Sequence, residues 1–238
     1  MVAMYRERPS SAHPGVTVWT RGTGTAPDQP ARILPDGCLD LIWTDGALLV
    51  AGPDTHAHLM RDRAHAYFAG LRFAPGTGPP LFGIPASELR DRRVPLAAIW
   101  NGRDVRRLEE RIAAAGASIE AAAAVLEHAG IARLRAASPP DPVTHAVTRG
   151  LASGTSVAET ARVVGLSDRQ LLRRSLAAYG YGPKTLARIL RFTRALALAR
   201  AGTDFASVAA ASGYADQAHL AREVRELAGL PLGALLGA

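Results

Sequence analysis

Four side chains suited to reading bases crowd into one stretch, SDRQLLRRSLAAYG: Arg169, Gln170, Arg173 and Arg174. A guanidinium fork matches O6 and N7 of guanine, and a glutamine amide matches N6 and N7 of adenine. Arg169 and Arg173 lie four apart and so share a face if the stretch is helical. Ser167 stands just ahead of them as an N-cap. A second set, Gln217, Ala218, His219 and Arg222, follows Asp216 in GYADQAHLAREVRELAG. Asp216 is an acid suited to the positive start of a helix. Between the sets, Lys184, Arg188, Arg191 and Arg194 recur at spacings of four and three. That basic stripe either touches phosphate or is a solvated face opposite the core.

Other chemistries have weaker signals. His56 and His58, with His65 further on, follow a run of β character, and histidines at i and i+2 share a strand face. They resemble part of the metal motif of cupin barrels, but the glutamate is absent, Asp62 is the only acid at a plausible offset and the glycine spacing differs. Surface or pocket histidines are the plainer expectation, and no metal or other cofactor is assigned. Cys38 is the single cysteine, which excludes an internal disulfide framework and a cysteine-cluster zinc site. It reads as a small buried hydrophobe rather than a redox sensor. No phosphate-cradling glycine loop, nucleophile elbow or HExxH motif occurs, so no catalytic residue is assigned and no enzyme is expected.

The base-reading sets need rigid elements, and the sequence supplies the same grammar twice. Residues 156 to 180 give a short helix, Gly165-Leu166-Ser167, then a second helix with Leu171 and Leu176 facing inward. Phe205 to Ser212 gives another short helix, stopped at Gly213, and the next carries Leu220, Val224 and Leu227 as one apolar stripe. A glycine-bearing turn between two short helices is the helix-turn-helix pattern, whose second helix enters the major groove. The expected readers run near 168–179 and 216–227. The turn glycines lie 48 positions apart, and PKTLARILRFTRALALARAG between them predicts a helix from Pro183 to Gly202. A spacer of about 18 residues is roughly 27 Å long, enough to seat two readers in successive grooves about 34 Å apart.

YGYGPKTLARILRF and SGYADQAHLAREVRELAGLPL resemble the DNA-binding domain of AraC/XylS-type transcriptional regulators, over about residues 141 to 236. LPDGCLDLIW, AGPDTHAHL and FGIPASELRDRRVPLAAIW resemble the N-terminal domain of one branch of that family. The resemblance implies a regulator of duplex DNA that meets RNA polymerase if it activates. One position departs from it: Ser175 stands where an aromatic is usual, which implies a core loosened or repacked on Leu172 and Leu176.

Composition agrees with this reading. The 238 residues are 48% hydrophobic and 21% charged, as in a folded protein of one large or two ordinary domains. No apolar run reaches the ~18 residues of a membrane span, and the N-terminus lacks a secretory core, so a cytoplasmic location is expected. The net charge is +7, with arginine outnumbering lysine 27 to 1. Residues 141–238 carry +5 of that excess, on the segment already expected to meet an anionic partner.

Residues 1–90 read differently. Short runs at 16–20, 39–43, 48–51 and 66–73 are punctuated by Gly, Pro and Asp, and Asp45-Gly46 predicts a hairpin. All three tryptophans and three of five phenylalanines precede residue 101. A small, largely apolar effector in a pocket lined by some of Trp19, Trp43, Phe68 and Phe73 is one expectation; aromatics that merely fill a core are the other. A helix is expected to start at Ser87-Glu88-Leu89 and break at Val94-Pro95-Leu96. Residues 91–137 then predict a helical connector whose hairpin, 104–115 and 118–136, either pairs two copies of the chain or caps the β body. The linker 137–142 precedes the domain at 141–238. The expected class is α+β: a small barrel- or sandwich-like β domain, a helical connector, and an all-α domain with two helix-turn-helix units. A cupin-like metal-dependent enzyme, or a ligand-binding module with a helical appendage, is the alternative.

Overall fold

The structure is a computed structural model that describes residues 4–24, 30–61, 63–116, 118–137 and 141–237. Asp62 and the centre of the expected linker, 138–140, lie outside the described residues. Among the described residues, eight strands lie in the N-terminal half: β1 (Met4–Pro9), β2 (Val16–Gly22), β3 (Ala31–Ile33), β4 (Leu39–Thr44), β5 (Ala47–Ala51), β6 (His58–Met60), β7 (Tyr67–Phe73) and β8 (Arg93–Pro95). Six make one antiparallel sheet in the order β1-β2-β7-β4-β5-β8. β3 and β6 pair separately as a two-stranded ribbon. The expected hairpin is present, with Asp45 and Gly46 both in the left-handed region (φ 48° and 79°) between β4 and β5. That is the turn geometry whose twist matches the flanking strands.

Strand alternation splits the sheet into two faces. Val16, Val18, Leu39, Leu41, Leu48, Val50, Ala69, Leu71 and Phe73 point to one, where two helices cover them. These are α2 (Gly102–Ala114), capped by Asn101, and α3 (Ile119–Ala136), capped by Ser118. α1 (Pro79–Phe82), which precedes them, sets Phe82 edge-on to Phe73 at 5.9 Å. Gly130 lets α3 approach β7: a Cβ there would stand 2.5 Å from Leu71 Cδ1.

Of the two roles open to the hairpin at 104–115 and 118–136, the structure shows it capping the β body. Val105, Leu108, Ile112, Leu126 and Ile131 belong to the same core as the sheet, because the apolar stripes of both helices have no other surface to bury. The helix expected from Ser87 is a single 3₁₀ turn at Ala86–Glu88, and Val94-Pro95 form edge strand β8.

Among the described residues, seven helices follow: α4 (Pro142–Ala152), α5 (Val157–Val163), α6 (Asp168–Tyr179), α7 (Pro183–Arg200), α8 (Phe205–Ser212), α9 (Gln217–Ala228) and α10 (Leu232–Leu236). The fully buried Leu186, Ile189 and Phe192 make α7 the axis on which both pairs, α5–α6 and α8–α9, are built. α7 has 18 residues with Pro183 in its first turn, the length and start read from the sequence. The core of the first unit repacks without Leu172, which stays 46% exposed; Leu171 and Tyr179 fill it, and Ser175 is buried.

The two halves meet over a continuous interface. Leu34 packs into the C-terminal core. Gly180 (φ 84°) ends α6 so close to Pro53 and Ala86 that a Cβ would lie 2.8 Å from Pro53 Cγ. Thr148 on α4 donates to the Pro75 carbonyl at 3.4 Å. The ribbon reaches the end of α9, where Arg32 Nη1 donates to Ala228 O and Ala57 N to Leu227 O, each at 2.7 Å.

Candidate nucleic-acid interface and the cavity behind it

α6 begins with a capping box. Ser167 Oγ accepts from Gln170 N, and Gln170 Oε1 accepts from Ser167 N at 2.9 Å. This satisfies two otherwise orphaned amides and spends the side-chain oxygen of Gln170 on the helix start. Arg169 and Arg173 are exposed and meet no hydrogen-bond or ion-pair partner among the described residues. Arg174, two turns in, instead pairs with Asp141 Oδ2 at 2.7 Å and ties α6 to the start of α4.

In the second unit Asp216 caps α9 by accepting from His219 N at 2.6 Å. Gln217, Ala218 and Arg222 are exposed, and Arg222 too has no partner among the described residues. His219 turns aside and packs edge-on against Tyr214, with ring centroids 5.2 Å apart. Both α6 and α9 therefore present a face of their first two turns outward, while their ends contact the N-terminal half.

Three of the four cations of the α7 stripe have partners within the protein. Arg188 and Arg191 both donate to Glu223 of α9, Arg191 at 2.6 Å, and Arg188 also reaches Glu226. Arg191 lies over the Tyr214 ring at 4.7 Å. Arg194 donates to the carbonyls of Ala152 and Ser212. Glu223 is 6% exposed; burial works against its charge, but the two arginines win and hold its carboxyl below the usual range. The stripe is mostly a set of internal struts, because helices crossing at close range bring the Glu223 carboxylate under it. Within the stripe, only Lys184 is exposed and without a partner among the described residues. Glu223, which ties α9 to α7, is not among the residues singled out in the sequence. Its signal was an acid four residues after His219, the first of two acids on α9.

The other face of the sheet lines a cavity of about 270 Å³, closed on the far side by the ribbon through Ile33, His58 and Met60. Of the four aromatics expected to line an effector pocket, Trp19 and Phe68 line this cavity, and Trp43 lines a separate one of about 230 Å³ beside α2 and α3. Trp43 and Phe73 point to the opposite face, Phe73 fully buried under α1, since the alternation of β4 and β7 puts odd-numbered residues there. The Trp19 indole lies flat on Gly70, where a Cβ would come within 2.2 Å of it. Its Nε1 donates to Asp40 Oδ1 at 2.7 Å. Asp40 is 8% exposed, and burial pushes its carboxyl up to about 6 although Arg72, 3.3 Å away, opposes the rise. Arg93 pairs with Asp54 on the same wall. The cavity thus carries Arg21, Arg72 and Arg93 against Asp36, Asp40 and Asp54 among Trp19, Ile42, Leu49, Met60 and Phe68.

Cys38 lines the cavity too, and burial pushes its thiol well up, which makes it a poor nucleophile. His58 is a cavity wall, His56 sits beside Asp91 at the surface, and His65 occupies a left-handed turn before β7. Among the described residues no three His, Cys, Asp or Glu side chains gather as a metal site would require. Among them, too, no helix is long and apolar enough to cross a membrane.

Residues 145–237 match the family described as "Helix-turn-helix domain", of AraC type. Residues 16–95 match a "Domain of unknown function (DUF6597)". No curated protein sequence matches the chain. Among solved structures, similar ones include an apo variant of ToxT from Vibrio cholerae strain SCE256, at 11% identity and a TM-score of 0.49, over 94% of this chain and 98% of that one. ToxT from Vibrio cholerae O395 is similar at 10% identity and a TM-score of 0.48, over 94% and 97%. ToxT from strain SCE256 with an unsaturated fatty acid bound is similar at 10% identity and 0.49, over 93% and 94%.

Proposed function

With residues 145–237 an AraC-type helix-turn-helix domain, we propose that this DNA-binding regulator reads two successive major grooves of one duplex face through α6 and α9, under the control of a small effector held in the N-terminal cavity. The observation that carries the reading is the paired presentation of the two helices. Each exposes cationic or amide side chains at its start, Arg169 and Arg173 on one, Gln217 and Arg222 on the other, with no internal partner for the arginines among the described residues. Each is buried at its end against the N-terminal half. An 18-residue α7 between them is about 27 Å long, close to one turn of duplex, about 34 Å. Lys184, and Arg169 where it does not meet a base, supply phosphate contacts that carry no sequence information.

The cavity supports the effector half of the reading. About 270 Å³ suits a small molecule, and the walls offer apolar and aromatic surface with a few convergent polar groups. Three cations face three carboxylates. A ligand with an apolar body and no net charge fits, because a charged one would leave a charge uncompensated in a desolvated space.

Selection of bound fragments from genomic DNA by the purified full-length chain tests the reading, followed by salt titration on the selected duplex. The expected result is one motif with two half-sites about 10 bp apart and an affinity that falls steeply with salt. Recovery of fragments with no common motif, or a single short half-site, would reject reading by two helices.

A further inference from the structure

The ribbon of β3 and β6 belongs to two sites at once. Strand alternation gives it two faces, and Ile33, His58 and Met60 close the cavity. Arg32, one residue from Ile33, points the other way and donates to Ala228 O, while Ala57, at the root of β6, donates its amide to Leu227 O. These carbonyls end α9, the second reading helix, and would otherwise be among the four left without an intrahelical partner. Gly229, which stops α9 in the left-handed region, keeps the approach open: a Cβ there would stand 3.0 Å from Arg32 Nη1.

The ribbon is also free of the main sheet, to which neither of its strands is paired. Two strands alone are marginal, so this pair depends on what packs against each face. The main sheet, by contrast, is braced by α2 and α3 through a common core. Of the elements around the cavity, the ribbon is the one that can shift without breaking a ladder of the six-stranded sheet.

Building on the regulator reading above, we propose that the ribbon is the link between cavity and DNA: occupancy between sheet and ribbon moves Ile33, His58 and Met60, and through Arg32 and Ala57 resets the end of α9. The bonds at Ala228 O and Leu227 O are then the coupling, and Arg32 is its positioning residue. Loss of Arg32 should uncouple cavity from DNA without emptying the cavity.

A double-mutant cycle on the full chain tests this with no effector in hand. Ile42 lies on β4 in the cavity wall, so Ile42→Trp fills part of the space a ligand would take. The Kd for the selected duplex is measured for wild type, Ile42→Trp, Arg32→Met and the double variant. The expected result is a change of at least about fivefold from Ile42→Trp in the wild-type background, shrinking below about twofold beside Arg32→Met, the range within which independent sites add. Equal changes in both backgrounds, or none in either, overturn the link. Leu49→Phe fills the same cavity if Ile42→Trp does not fold. Hydrogen exchange needs no filled cavity: Arg32→Met should speed exchange at Ala57 and in the last turn of α9 at least fivefold, and unchanged protection there overturns the clamp. The wild-type arm separates the two readings. A wild-type chain that binds no duplex defeats the regulator reading itself, whereas one that binds without coupling defeats only the link.

Discussion

Arg173 and Arg222 are exposed on helices that are otherwise well tied down, so removing either guanidinium leaves the scaffold standing. Arg173→Ala and Arg222→Ala should each relax preference at a different half-site, at about 1–3 kcal/mol for a bidentate contact; repeat selection reads this out, and uniform weakening on all sequences would mean phosphate contact only. These residues were legible from spacing alone, because i and i+4 on a helix share a face whatever the fold around it. Gln170 was legible in a different sense: Ser-x-x-Gln before an apolar run is a capping box, and the cap has claimed that side chain. Asp40 was not legible, since its burial depends on Trp19 and Arg72 arriving from two other strands. Its carboxyl rises from an ordinary 3.8 to about 6, chiefly through burial. The native state therefore holds this proton more tightly than the unfolded chain, and stability from this group is present below about pH 4 and lost as pH rises through 6. That difference is on the order of 3 kcal/mol. Asp40→Asn keeps an acceptor for Trp19 but cannot titrate. In urea unfolding, wild type should lose stability relative to Asp40→Asn between pH 4 and 7; parallel profiles would show that Asp40 does not ionise in this range.

At the scale of elements, α7 shows how one spacing serves two purposes. Lys184, Arg188, Arg191 and Arg194 form one stripe in sequence, yet Arg188 and Arg191 meet Glu223 and Arg194 meets two carbonyls. A periodic pattern specifies which side chains share a face, but what lies opposite that face is a tertiary fact. Lys184→Ala should lower the salt slope of DNA binding by about one, as expected for one lost phosphate contact. Arg191→Ala should leave the slope unchanged. It should instead lower the unfolding free energy by about 1–3 kcal/mol, the usual cost of a buried acceptor losing a charged donor. Fluorescence titration at several salt concentrations and thermal unfolding separate the two; a lower slope from Arg191→Ala would return it to the interface. Helices α6 to α9 were legible almost to the residue, because their caps (Ser167, Asp204, Asp216) and stops (Gly180, Gly213) are local. β1, β3 and β6 were not. MYRERP is a polar edge strand, and ARI and HLM are too short to show a period.

For the whole molecule, the interface between the halves decides what the N-terminal half does. It grips the end of α6 at Gly180, the end of α9 at Leu227 and Ala228, and α4 at Thr148, so it holds the two reading helices relative to one another as well as to itself. No stretch of sequence announces this. It arises from single residues, Pro53, Pro75 and Ala86, meeting helices far along the chain. A fragment starting at Asp141 keeps both units and the spacer but loses every one of these contacts, and exposes the side of its core that Leu34 covers. It should therefore unfold at a lower temperature than the same domain within the full chain. The reading faces stay intact, so it should still select both half-sites. The loss should appear in how rigidly the two are spaced: the full chain should discriminate against a 1 bp insertion between half-sites at least several-fold more strongly than the fragment does. Competition binding with duplexes of altered spacing measures this directly. Equal discrimination by fragment and full chain would mean that α7 alone sets the spacing, and the N-terminal half would then act on something other than the geometry of reading.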